Sequence, residues 1–107
     1  MKPASLEFGL STDERIYLAR LFAAHPEIEK AILYGSRAYG TQKPGSDVDI
    51  ALVGHGVTPQ IVSKIHLTLE EDSPMLLNFD VLHLDTLSDT ELKAEILNRG
   101  KVFYERR

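Results

Sequence analysis

Apolar residues along the chain follow two different periods, and the changes between them mark out the elements. Tyr17, Leu18, Leu21 and Phe22 recur at helical intervals. Ser11-Thr12-Asp13-Glu14 precedes them as a capping box, with Ser11 as N-cap, and Pro26 lies beyond the helix end. Residues 29–34 and 47–53 then carry the short runs Ala31-Ile32-Leu33-Tyr34 and Ile50-Ala51-Leu52-Val53, which predict two strands. Between them, Ser36 is expected to cap a short helical turn, Arg37-Ala38-Tyr39, and Pro44-Gly45 marks a loop over 41–45. Gly54-His55-Gly56 closes the second strand. Pro59 suits the first turn of a helix whose stripe Ile61, Val62, Ile65 and Leu69 continues to about Glu71, where Ser73-Pro74 breaks it. Over 78–84, Phe79, Val81 and His83 alternate with Asp80, Leu82 and Leu84 in a third strand. Ser88-Asp89-Thr90-Glu91 reads as a second capping box, opening a helix with Leu92, Ile96 and Leu97 that stops at Arg99-Gly100, and residues 101–104 add a short edge strand. The order predicts an α/β fold, a small mixed β-sheet packed with helices, and leaves the strand order open.

The chemistry concentrates where the first two strands meet their loops. Gly35-Ser36 ends one strand, and ten residues later Asp47-Val48-Asp49 opens the next. At ordinary residue frequencies these four positions recur by chance in about one chain of this length in a thousand. Gly35 lets backbone approach a phosphate with no Cβ in the way, Ser36 offers a hydroxyl, and a glycine before a helical turn makes an anion seat. On a strand, residues two apart share a face, so Asp47 and Asp49 project side by side. Paired carboxylates of this kind suit Mg²⁺, which completes its octahedron with water and substrate phosphate. A third carboxylate on a neighbouring strand would complete such a site.

Composition narrows the partners. The 107 residues suffice for a single domain over 1–107, with the motif region at 33–53 and the third carboxylate strand at 78–84. There is no cysteine, and Met1-Lys2-Pro3-Ala4-Ser5 leads into no long apolar stretch, so a cytoplasmic protein with no membrane segment is expected. Twelve Lys and Arg stand against sixteen Asp and Glu, with no basic cluster. A chain that tracks a nucleic-acid backbone carries a basic stripe, so no nucleic-acid polymer is expected as partner.

Leu33-Tyr34-Gly35-Ser36-Arg37-Ala38-Tyr39-Gly40 and Gly45-Ser46-Asp47-Val48-Asp49-Ile50-Ala51-Leu52-Val53 resemble the signature of the DNA polymerase β nucleotidyltransferase superfamily, and the length resembles its minimal nucleotidyltransferase (MNT) branch. The resemblance implies the polymerase β-like fold. It implies that Gly35, Ser36 and Arg37 bind nucleotide, with Arg37 supplying the cation because position 39, often basic in the family, is Tyr39. It also implies that Asp47, Asp49 and Asp80 hold Mg²⁺ and carry the chemistry, with Asp80 taking the proton of the attacking hydroxyl. ATP would be the substrate and AMP the group moved, onto a tyrosine of a small helical HEPN-type toxin for which the protein is the antitoxin. The alternative is a non-catalytic partner that neutralises or complements a second protein.

Outside this set the readings are structural. Asp80 is selected partly because a carboxylate inside an apolar run is costly to bury without a cation or donor. Asp85 reads as the start of a loop, Glu70-Glu71-Asp72 as a solvated helix end, and His25, His55, His66 and His83 lack metal-ligand spacing.

Overall fold

The computed structural model describes residues 8–43, 45–73, 75 and 77–106. The expectations resting on Met1 to Ser5, on Pro44 and on Pro74 fall outside them. Eight elements follow in the order α1 (Thr12–Ala23), β1 (Lys30–Tyr34), α2 (Ser36–Tyr39), β2 (Val48–Val53), α3 (Pro59–Glu71), β3 (Phe79–His83), α4 (Thr90–Arg99) and β4 (Lys101–Glu105). They form a mixed four-stranded sheet of order β3-β2-β1-β4, in which β1 runs antiparallel to β2 and β4 while β2 and β3 are parallel.

Local chemistry sets most boundaries. At α1 the capping box closes as expected: the Glu14 amide donates to Ser11 Oγ at 3.1 Å, and the Ser11 amide donates to Glu14 Oε1 at 2.7 Å. Thr58 caps α3 through the Ile61 amide, with Pro59 in the first turn, where its missing N–H costs nothing. Helix α4 departs from expectation by one residue. Its N-cap is Asp89, whose Oδ1 accepts from the Leu92 amide at 3.0 Å, so the Ser88 box does not form.

The sheet is covered on both faces, which is why β1 and β2 read as unbroken apolar runs. Ala31 and Leu33 of β1, Val48, Ile50 and Leu52 of β2 and Phe79 of β3 join Leu18 and Phe22 of α1 and Ile65 and Leu69 of α3 in the larger core. Residues of opposite parity, Ile32, Tyr34, Ala51 and Leu84, pack with Ile96 of α4 on the other side. The pairing of β1 with β4 carries a bulge: Ala31 pairs with Tyr104 and Ile32 with Val102, leaving Phe103 without a partner. Both Phe103 and Tyr104 therefore meet Phe22, at ring-centroid distances of 6.2 and 5.9 Å.

Candidate active site

Register places the acidic residues. Asp49 lies beside Asp80 in the parallel pairing of β2 with β3, and beside Tyr34 in the antiparallel pairing with β1. Alternation puts all three on the α4 side of the sheet. Residues 49 and 80, separated in sequence by the whole of α3, thus become neighbours on adjacent strands. Asp47 stands just before β2 and is exposed, Asp49 is half-buried, and Asp80 is exposed. Exposure of Asp80 corrects the burial argument that singled it out: its place follows from register beside Asp49, not from a carboxylate trapped in apolar surroundings.

Burial raises the Asp49 carboxyl to about 6, with the charges of Asp80 and Asp47 adding to it. Tyr34 is raised too, first by burial and then by Asp80, Asp49 and Glu95, so its hydroxyl stays protonated at neutral pH. Asp49 senses the charges of both other carboxylates, yet among the described residues no group of three His, Cys, Asp or Glu side chains is gathered closely enough to hold a metal ion as it stands. As donors they nevertheless fit a hard divalent cation, being carboxylate oxygens on one rim whose mutual repulsion a cation would relieve.

The Gly35-Ser36 turn adjoins this rim. Gly35 has φ 74°, and a Cβ there would run into Oδ2 of Asp49, so the glycine is required both by its backbone and by the carboxylate resting on it. Gly35, not Ser36, is the N-cap of α2, and no side-chain bond closes the cap. This corrects the expected role of Ser36, whose hydroxyl is not spent on capping.

Arg37 is corrected as well. It is 4% exposed, and its guanidinium is turned away from the turn. Nε and Nη2 donate to the Ser46 carbonyl at 3.0 and 2.8 Å, while Nη1 donates to the carbonyls of Phe8 and Gly9 at 3.0 and 3.2 Å. A buried cation needs its donors satisfied, and these carbonyls do that. Arg37 thus fixes the residue before Asp47, and these guanidinium donors are spent on backbone carbonyls.

Sequence reasoning missed a group on α4. Tyr39 Oη donates to Glu95 Oε2 at 2.8 Å, and the Arg99 guanidinium lies 3.8 Å above the centre of the Tyr39 ring. The i, i+4 spacing of Glu95 and Arg99 was visible, but not that Tyr39 would lie beneath both. The residues read as structural are so placed: Asp85 Oδ1 accepts from the Gly54 amide, His83 lies between Asp85 and the Gly54 carbonyl, and Glu70, Glu71 and Asp72 are exposed. Among the described residues no helix is long and apolar enough to cross a membrane.

Comparison with known proteins bears on most of the chain. No curated protein matches it by sequence. A chain of a toxin-antitoxin crystal structure with AMP-PNP superposes with a TM-score of 0.67 at 23% identity, covering 90% of this chain and 75% of that one. A chain of the complex between a tri-AMPylated Shewanella oneidensis HEPN toxin and an MNT antitoxin gives 0.66 at 18% identity, with coverage of 87% and 71%. A chain of the MntA-HepT toxin-antitoxin structure gives 0.61 at 18%, covering 90% and 74%. At such identities the likeness speaks for the fold. Residues 17–107 match the family of polymerase beta nucleotidyltransferases, with the Gly35-Ser36 turn and the Asp-x-Asp strand inside the matched region; the chain belongs to that family.

Proposed function

We propose that the protein transfers a nucleoside monophosphate, AMP from ATP, to a tyrosine hydroxyl of a HEPN-type toxin and acts as that toxin's antitoxin. The observation that carries this reading is the lateral pairing of Asp49 with Asp80, with Gly35 packed under the Asp49 carboxylate. Structural likeness to toxin-antitoxin chains, in one case with AMP-PNP and in another with a tri-AMPylated toxin, supports the choice of nucleotide and acceptor.

In this reading Gly35 and Ser36 seat the triphosphate through backbone and hydroxyl. Asp47, Asp49 and Asp80 would hold Mg²⁺, which when bound supplies Lewis-acid neutralisation of phosphate charge. Asp80, open at the rim, accepts the proton of the tyrosine hydroxyl as its oxygen bonds to the α-phosphorus, and the bond from that phosphorus to the β-phosphate bridging oxygen breaks, releasing pyrophosphate. Tyr34 stays protonated beside Asp49 and adds no charge to the acidic row.

Co-expression with a HEPN-type partner, followed by intact-mass spectrometry, tests the assignment. The partner should gain the mass of AMP when all three carboxylates are present and remain unmodified with Asp47→Asn, Asp49→Asn and Asp80→Asn together. A tight complex that stays unmodified with ATP and Mg²⁺ supplied would favour the non-catalytic alternative.

A further inference from the structure

The capture of Arg37 by backbone carbonyls raises the question of which cation meets the phosphates. A nucleoside triphosphate brings several negative charges to a rim that already carries three carboxylates, and a cation at the polyphosphate end lowers that cost. On α2 the single basic side chain is buried and committed.

The C-terminal turn of α4 lies at the same end of the sheet. Gly100 makes this possible, because a Cβ there would meet Ile32 Cγ2 and the Ile96 and Leu33 carbonyls; without one, the end of α4 sits directly on β1. Lys101 then pairs in register with Leu33, two residues before Gly35. Asn98, Arg99 and Lys101 join Ala38 and Tyr39 of α2 around a cavity of about 320 Å³. Helix α2, which carries Ala38 and Tyr39, follows Tyr34 and Gly35 directly, and Tyr34 pairs with Asp49, so the cavity and the acidic rim flank the same turn.

Arg99 is prepared for an anion. The Tyr39 ring supports its guanidinium, and Glu95 holds the Tyr39 hydroxyl, so the ring is fixed before any ligand arrives. Among the described residues no hydrogen bond occupies its N–H groups. A guanidinium held flat by a ring keeps its planar fork for two oxygens at once, a geometry that suits phosphate better than an ammonium does.

We propose that Arg99, stacked on Tyr39 and flanked by Lys101 and Asn98, binds the pyrophosphate portion of the triphosphate substrate. The inference rests on the nucleotidyltransferase reading above. It divides the site in two, with carboxylates toward β2 and β3 and cations toward α4 and β4, and the reacting α-phosphate between them. Glu95 and Tyr39 are positioning residues: they hold the ring that holds Arg99.

Calorimetry of the full chain in Mg²⁺, with ATP, inorganic pyrophosphate and AMP as separate titrants, tests it. Arg99→Gln should weaken ATP and pyrophosphate by about tenfold, the size expected for losing a charge-assisted contact, and leave AMP within about twofold. Arg99→Lys should recover part of the loss, and Tyr39→Ala should reproduce part of it through the lost support. Arg99 is exposed at the end of α4, and a melting curve shows whether the Gln variant folds; if it does not, Arg99→Lys and Lys101→Gln carry the same comparison. If wild type binds ATP and Arg99→Gln binds it equally well, the Arg99 assignment fails while the nucleotidyltransferase reading stands. Equal weakening of AMP and ATP, or a loss confined to free pyrophosphate, also overturns it. Wild type that binds none of the three overturns the nucleotidyltransferase reading, and this inference with it.

Discussion

Gly35 and Asp49 make sense only as a pair. The glycine's φ of 74° and the carboxylate oxygen lying where a Cβ would go mean that even the smallest side chain strains the turn and displaces a proposed metal ligand. Gly35→Ala should therefore lose both stability, by about 1–2 kcal/mol, and nucleotide affinity, as urea unfolding and ATP calorimetry would show; a variant equal to wild type in both would refute the pairing. Asp49 itself makes a pH-dependent prediction. Its carboxyl is raised to about 6 in the fold, so the native state holds its proton over a range in which the unfolded chain has released it. Stability of the metal-free protein should thus fall as pH rises from about 4 to about 6 and stay lower above that. Asp49→Asn removes the effect, and in chelator at pH 7 it should unfold later than wild type, by on the order of 1 kcal/mol once solvent screening is allowed for. Below about pH 4 the two should converge. The Gly-Ser and Asp-x-Asp positions were legible because each residue type has a chemical reason to stand there. Arg37 was not: a sequence shows a cation beside a turn but not which way its guanidinium faces, and here carbonyls distant in the chain outcompete solvent for it.

At the scale of elements, caps and alternation were readable where the deciding contacts are local. Helix α1 begins where its capping box predicts, and α3 begins at Pro59, the residue expected in its first turn. At α4 two acceptable caps stand side by side, Ser88 and Asp89, and the capping-box rule favours Ser88 because Glu91 lies three residues on. The structure chooses Asp89. Asp89→Ala should cost about 1 kcal/mol in urea unfolding, and Ser88→Ala close to nothing. The reverse order would restore the Ser88 box. Strand order was beyond the sequence for a different reason. The place of β4 beside β1 depends on Phe103 and Tyr104 meeting Phe22 of α1, a contact between opposite ends of the chain that no window of neighbouring residues contains. The third carboxylate lay partly within reach, since alternation over 78–84 gives Asp80 its face. Its partner Asp49 emerged only with the parallel register of β2 and β3.

For the molecule as a whole, Arg37 joins three separate stretches: the segment at Phe8 and Gly9, helix α2, and the loop ending at Ser46. Arg37→Met should lower stability by about 2–3 kcal/mol, because carbonyls buried with a cation lose their donor, and Arg37→Lys should rescue little, since one ammonium cannot reach all three carbonyls. Were Arg37 a phosphate ligand instead, the Lys variant would melt like wild type and lose mainly ATP affinity. The bulge in β4 has a consequence for how these molecules behave in company. Strand β4 is the rim of the sheet, and a straight, regularly paired rim with Val102, Phe103 and Tyr104 in sequence would offer itself to the same rim of another molecule, and that one to a third. With Phe103 out of register and turned inward with Tyr104 against Phe22, the strand is bent and its hydrogen-bonding groups no longer form an even ladder. The same irregularity that completes the aromatic packing inside also makes the sheet a poor template for growth, guarding the chain against polymerising through its own edge.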